Sequence, residues 1–259
     1  MIYQLALFGH PVSHSLSPQI QQGFARQFGL DINYKLIDVT AEKLHTRVQE
    51  FFTQGGHGAN VTVPHKQAVM TTVDQLTERA QQAQAVNTLY LKNNQIWGDN
   101  TDGIGLIKDL EQKNITLTHK RILILGAGGA VQGILPNLLQ THPQSIHLSN
   151  RTSEKAEKLA RFSPLCHILD GSQTTTGFDL IINGTSLGHQ GKSPPLYSHW
   201  FHANTISYDL SYGLAASPFL TAIKNLSGTK AFDGLGMLYH QAAFAFEMWF
   251  NQNPAVVLP

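Results

Sequence analysis

The run Arg121-Ile122-Leu123-Ile124-Leu125-Gly126-Ala127-Gly128-Gly129-Ala130 constrains the fold of this chain more than any other segment. Its apolar part reads as a buried strand, and its glycines read as a tight turn into a helix. Such a turn lets the backbone approach a pyrophosphate at a helix N-terminus, where free N–H groups and the helix dipole favour negative charge. The third motif position is Val131, where the pattern calls for Gly or Ala, and an ordinary strand-to-helix turn reads much the same way. A second signal follows about twenty residues on, in Leu148-Ser149-Asn150-Arg151-Thr152-Ser153-Glu154-Lys155. NAD binders place a carboxylate at the end of the second strand to accept from the ribose 2′-OH. Here that place holds Asn150, Arg151 and Thr152. An arginine there accommodates a 2′-phosphate, so the segment calls for NADP.

A chain of 259 residues is long for one domain and comfortable for two. The net charge of +1 and the lack of a Lys/Arg run argue against a nucleic-acid surface. Cys166 is the single cysteine, which excludes an internal disulfide and fits a reducing, cytoplasmic setting. Beside Leu165, Ile168 and Leu169 it reads as a small core residue. The N-terminus lacks a basic n-region and reads as a first strand. No apolar stretch reaches the ~18 residues that suggest a membrane span.

The pattern predicts an α/β chain in two halves with a returning tail. In the first half, strands are expected near 3–9, 32–39, 57–63, 86–92 and 95–98, and helices near 17–29, 41–54, 65–70 and 75–82. In the second half, strands near 120–125, 145–149, 165–169, 179–183, 205–209 and 229–232 alternate with helical stretches in the doubly wound manner. Pro136 falls inside the helix at 130–140 and should kink it. The apolar tail 237–251 reads as a packing helix.

Three polar clusters in the first half are more specific than a scaffold needs. In Gly9-His10-Pro11-Val12-Ser13-His14-Ser15-Leu16-Ser17-Pro18, Ser17 is placed to cap a helix and Pro18 to begin it. Capping leaves Ser15 unexplained. Two hydroxyls beside free helix N–H groups make a seat for a small carboxylate. In Gly58-Ala59-Asn60-Val61-Thr62-Val63-Pro64-His65-Lys66, the lysine is expected to open a helix. It reads either as a solvated surface residue or, partly desolvated at the positive end of a dipole, as a group that exchanges protons near neutrality. The third cluster joins Ala85-Val86-Asn87-Thr88 to Gly98-Asp99-Asn100-Thr101-Asp102-Gly103. Thr101 or Asp102 can cap a helix beginning near Ile104, and that reading stands beside a functional one.

Taken in order, these segments resemble the shikimate dehydrogenase family over almost the whole chain. The carriers are Gly9-x-Pro11-x-x-His14-Ser15-x-Ser17-Pro18, Asn60-Val61-Thr62-x-Pro64-x-Lys66, Ala85-Val86-Asn87-Thr88, Gly98-x-Asn100-Thr101-Asp102-Gly103, Gly126-Ala127-Gly128-Gly129-Ala130 and Asn150-Arg151-Thr152. Later come Asn183-Gly184-Thr185-Ser186-x-Gly188, Asp209-x-x-Tyr212 and Gly234-x-Gly236-Met237-Leu238-x-x-Gln241.

The resemblance implies reversible, NADPH-dependent reduction of 3-dehydroshikimate to shikimate, without a metal, in the route to aromatic amino acids. It implies an N-terminal α/β substrate domain over 1–101, completed by a C-terminal helix at 236–259, and a Rossmann-type NADP domain over 102–235. Ser15 and Ser17, helped by Thr62 and Tyr212, would hold the substrate carboxylate. Lys66, Asn87, Asp102 and Gln241 would hold the ring oxygens, with Lys66 and Asp102 as the catalytic pair. Gly126, Ala127, Gly128, Gly129, Ala130, Asn150, Arg151, Thr152, Lys155, Leu210 and Gly234 would line the cofactor site. The expected partner is a small molecule alone, neither nucleic acid nor membrane, with the protein a monomer or homodimer.

Some positions depart from the family pattern. Gln19-Ile20-Gln21-Gln22 stands where His-Asn is frequent, Gly184 where Ala is common, and Lys155 where a second basic residue is often Arg. Lys lacks the bidentate fork, which loosens its grip on a phosphate. Two other readings share the fold. A quinate/shikimate dehydrogenase using NAD would carry an acidic residue where Arg151 stands. A catalytically silent dinucleotide-binding regulator would lack Lys66 or Asp102.

Overall fold

The structure is a computed structural model that describes residues 1–169 and 177–259. The chain forms two compact units, Met1–Gly105 with Leu238–Pro259, and Leu106–Met237.

The first unit is built on β1 (Ile2–Gly9), α1 (Ser17–Gln27), β2 (Asp31–Asp38), α2 (Ala41–Thr53), β3 (Gly56–Val61), β4 (Gln75–Leu76), α3 (Glu78–Ala83), β5 (Thr88–Lys92) and β6 (Gln95–Asp99). It also takes the start of α4 (Asp102–Gln112). The sheet runs in the order β2-β1-β3-β5-β6-β4. Strands β2, β1 and β3 are parallel, while β5 is antiparallel to both β3 and β6. Both faces of β1 are covered, which explains its unbroken apolar run. Ala6 and Phe8 pack with Val48, Ala59 and Leu89 on one face. Leu5 and Leu7 pack with Tyr34, Ala245 and Trp249 on the other.

The second unit carries β7 (Arg121–Leu125), α5 (Gly129–Gln140), β8 (Ser145–Ser149), α6 (Ser153–Ala160), β9 (Cys166–Ile168), β10 (Leu180–Asn183), β11 (Ile206–Asp209), α7 (Ser217–Leu226) and β12 (Lys230–Phe232). The last helix, α8 (Leu235–Phe250), begins here and ends in the first unit. All six strands are parallel, in the order β12-β11-β10-β7-β8-β9. Strand order reverses between β7 and β10, the switch point where doubly wound sheets bind ligands. Ile122 and Ile124 face Val131, Ile134 and Leu138 of α5. Leu123 and Leu125 face Phe219, Ile223 and Trp200 on the other side.

Several sequence expectations need correction. The stretch expected as a helix at 65–70 holds a short 3-10 segment, Ala68–Thr71, with Lys66 in the turn before it. The stretch 75–82 splits into β4, paired with Trp97 and Gly98, and α3. Thr77 separates the two, its side chain accepting from Ala80 N at 3.3 Å. Helix α7 was not expected, although Ser217-Pro218 begins it and Phe219 and Ile223 recur at helical spacing. Pro136 does lie inside α5.

Candidate active site

The glycine that ends β1 sets up the first part of the site. A side chain at Gly9 would run into Val12 and Thr62, so the loop after β1 can fold against Thr62 only because none is there. Thr62 N donates to Phe8 O at 2.9 Å and His10 N donates to Val63 O at 3.0 Å, which ties the two strand exits together. Ser17 does not cap α1. It is the first residue of the helix, after Leu16, and makes no side-chain capping bond. The local work falls to Ser15, whose Oγ accepts from Ser17 N at 3.2 Å and lies 3.1 Å from Ser17 Oγ. The two hydroxyls stand together, with Ser15 half-buried and Ser17 buried.

The second part is the Lys66–Asp102 pair. Lys66 Nζ donates to Asp102 Oδ2 at 2.6 Å, with side chains only 13% and 6% exposed. The surface reading of Lys66 therefore fails, and so does the helix-dipole argument, because no helix starts at Lys66. The carboxylate of Asp102 takes its place. The capping reading of Asp102 fails as well: α4 begins at Asp102 itself, and Asn100 Oδ1 accepts from Asp102 N at 3.0 Å. Asp102 Oδ1 instead accepts from Asn87 Nδ2 at 2.9 Å. Asn87 is held in turn by Thr101 N, which donates to its Oδ1 at 2.8 Å. Gln241 joins through Oε1, 3.3 Å from Asn87 Nδ2. Gly105 permits this approach, since a Cβ there would press on the Gln241 backbone.

Ser15, Ser17, Thr62, Lys66, Asn87, Asp102 and Gln241 thus all belong to the first unit, and Lys66, Asn87, Asp102 and Gln241 form one bonded cluster. Tyr212 belongs to the second unit, just after β11. Sequence reading gave no role to Tyr34, Asn60 or Thr88, which are buried beside this cluster. The one available signal for Tyr34 was an aromatic residue in a polar strand: it is the only buried position of β2.

In the second unit, Gly126 has φ +110, and a side chain there would meet the Gly184 carbonyl. Its N–H donates to Ser149 O at 2.7 Å, which brings the glycine loop to the end of β8. Gly128 precedes α5, and the space where its Cβ would stand is open. Ala127, Gly129 and Ala130 complete the turn, leaving N–H groups of the first helical turn for an anion. Asn150 Nδ2 donates to Thr152 O at 2.8 Å and shapes the loop carrying Arg151. Arg151, Thr152 and Lys155 are exposed there. Leu210 N donates to Asn183 O at 2.9 Å, and Gly234 N donates to Ser211 O at 2.8 Å. A side chain on Gly234 would strike Leu210 O, so these two backbones meet only through the glycine.

Asn183 and Asp209 end neighbouring strands and bond to each other, Nδ2 to Oδ2 at 2.7 Å. Asp209 Oδ1 accepts from Ser211 N at 2.8 Å. Burial pushes the Asp209 carboxyl up to about 6, despite the opposing hydrogen bonds from Ser211 and Asn183. Among the described residues, no group of His, Cys, Asp and Glu side chains could hold a metal ion.

Known proteins resemble this chain over nearly its whole length. The family described as "Shikimate dehydrogenase substrate binding domain" matches residues 7–89. "Shikimate / quinate 5-dehydrogenase" matches 109–189, and "Shikimate 5'-dehydrogenase C-terminal domain" matches 234–257. The chain is 45% identical over 252 residues to a shikimate dehydrogenase (NADP(+)) of Aeromonas salmonicida, covering 96% of this chain and 92% of that one. It superposes on the crystal structure of shikimate dehydrogenase from Aquifex aeolicus with a TM-score of 0.90 at 31% identity, over 98% of this chain and 94% of that one. The enzyme from Thermus thermophilus, crystallised in complex with NADP(H) and shikimate, gives a TM-score of 0.87 at 31% identity, over 98% of this chain and 95% of that one.

Proposed function

This chain belongs to the shikimate dehydrogenase family, and from that premise we propose that it is an NADP-dependent oxidoreductase interconverting 3-dehydroshikimate and shikimate. The observation that carries the reading is the buried Lys66–Asp102 pair, bonded to Asn87 and Gln241. We assign the first unit with its C-terminal helix to the substrate and the second unit to NADP.

NADPH, when bound, supplies the hydride that reaches the carbonyl carbon. The open space at Gly128 and the free N–H groups of α5 fit a pyrophosphate, and Arg151 with Lys155 would hold the 2′-phosphate. As charge builds on the carbonyl oxygen, the Lys66 ammonium stabilises it and donates its proton. An ammonium has three donors, so the bond to Asp102 leaves others for the substrate. In the reverse direction, neutral Lys66 takes the hydroxyl proton. Asp102 holds the lysine in place and orients a ring hydroxyl. Asn87 and Gln241 would bind the remaining ring oxygens, and Ser15, Ser17, Thr62 and Tyr212 would hold the carboxylate.

Arg151, with no carboxylate at the end of β8, favours NADP over NAD and so speaks against the NAD-using quinate/shikimate alternative. The presence of both Lys66 and Asp102 speaks against a silent regulator. We place the protein in the cytoplasm, as a monomer or homodimer; its lone cysteine suits a reducing compartment. The test is absorbance at the NADPH band, with shikimate and quinate each tried against NADP and NAD. Turnover of shikimate with NADP should dominate. Faster turnover of quinate with NAD would overturn the assignment.

A further inference from the structure

A run of hydrogen bonds leads from Ser17 to the Lys66–Asp102 pair, and the orientation of each side-chain amide along it is determined. Tyr34 lies in β2 with its phenol next to the Ser17 side chain. Its hydroxyl donates to Asn60 Oδ1 at 2.8 Å. The amide of Asn60 cannot turn over, because its Nδ2 donates to the Asn87 carbonyl at 3.2 Å, and a carbonyl can only accept. The same Nδ2 reaches Thr88 Oγ1 at 3.3 Å. Thr88 Oγ1 donates in turn to Asn87 Oδ1 at 2.8 Å, an oxygen that can only accept. That oxygen also accepts from Thr101 N, which leaves Asn87 Nδ2 pointing at Asp102.

Tyr34, Asn60, Thr88, Asn87 and Asp102 are all buried. A buried oxygen deprived of its donor loses free energy that water cannot return. Burial also drives the Tyr34 phenol far above its ordinary range, so it remains a donor at every working pH.

We propose that Tyr34 is a positioning residue for this reaction: by donating to Asn60 it fixes, through Thr88, the Asn87 amide that holds the Asp102 carboxylate against Lys66. The proposal rests on the assignment of Lys66 and Asp102 as the catalytic pair. It also links the hydroxyls at the carboxylate seat to the groups at the reacting oxygen within one polar network.

The test is steady-state kinetics on the whole protein with shikimate and NADP, for Tyr34→Phe, Thr88→Val, Thr88→Ser, the Tyr34→Phe/Thr88→Val double variant and Lys66→Met. Tyr34→Phe should lower kcat about tenfold, the scale of a small misplacement at a reacting centre, and leave KM for NADP unchanged. Thr88→Val should do the same, while Thr88→Ser, which keeps the hydroxyl, retains kcat within about twofold of the parent, well short of that loss. Because both residues act through one amide, the double variant should be no slower than the slower single variant. A Tyr34→Phe protein with parental kcat, or losses that multiply in the double variant, would overturn the proposal. If Tyr34→Phe fails to fold, the contrast between Thr88→Val and Thr88→Ser decides: equal kcat for those two ends the idea. Lys66→Met separates the two levels. Full turnover in that variant sinks the catalytic assignment, whereas an inactive Lys66→Met beside a silent Tyr34→Phe sinks only the positioning role.

Discussion

Val131 and Gly184 are complementary departures from the family pattern. Val131 occupies the place where the glycine motif calls for a small residue, and it is wholly buried in α5. Opposite it, Gly184 stands where Ala is common, and a Cβ on Gly184 would collide with the Val131 side chain. The volume gained at one position is given up at the other, and the glycine loop keeps its approach to β10. Gly184→Ala should therefore destabilise the protein by about 1–3 kcal/mol, the usual cost of overpacking. In a Val131→Ala background the same change should cost much less. Denaturant melts of the four proteins test this, and strictly additive effects would show that the two residues do not share the space.

Much of the second unit was legible in the sequence because its strands are buried on both faces and read as short apolar runs between turn signals. β7, β8, β10 and β11 lie where the pattern places them. Helix α7 was missed because Ser217-Pro218, its start signal, follows a turn rich in Gly and Ala that carries no clear period. In the first unit, a capping reading is open for Ser17 and Asp102 beside the functional one, because both stand at helix starts. Position relative to a helix start is visible in sequence, but the partner that wins a side chain is not. Ser15 and Asn100 instead accept from the backbone N–H groups of Ser17 and Asp102 themselves. The contacts of Lys66 come from α4, far along the chain, and no local pattern around Lys66 encodes them.

Arg151 stands exposed beside the end of β8, in a loop shaped by the bond from Asn150 to Thr152 O. Arg151→Ala should raise KM for NADP and change that for NAD little. Loss of a charge-assisted contact is worth about 1.5–3 kcal/mol, so the rise should be roughly tenfold to a hundredfold. Equal weakening with both cofactors counts against this placement of the 2′-phosphate.

Asp209 links stability to pH. Its folded-state value of about 6 lies above the ordinary 3.8. Between about pH 4 and pH 6 the folded protein thus holds a proton that the unfolded chain has released. The stability this proton confers is present at acid pH, falls as pH rises through that window, and is flat above it. The span corresponds to about 3 kcal/mol at most. Asp209→Asn cannot titrate, and at every pH its single amide oxygen can accept from only one of the two present donors, Ser211 N and Asn183 Nδ2. Relative to the parent it should gain stability between pH 4 and pH 7. A difference between the two melting curves that does not change with pH would rule out a raised carboxyl.

Lys66 should matter more to turnover than to binding, because its interaction strengthens as charge develops on the substrate oxygen. Lys66→Met keeps the stem and removes the charge, and should lower kcat by about 10²–10⁴-fold, the range for general acid–base catalysis. Asp102 remains bonded to Asn87 in that variant, so its carboxylate is not left alone. The fold should survive with some loss of melting temperature, which circular dichroism can follow. Asp102→Asn should also slow turnover, with greater damage to shikimate binding. An amide there can accept from only one of its two present donors, Lys66 and Asn87, and must turn an N–H toward the other. A folded Lys66→Met protein that oxidises shikimate at near the parental rate would remove the lysine from the chemistry and leave the buried pair with a purely structural role.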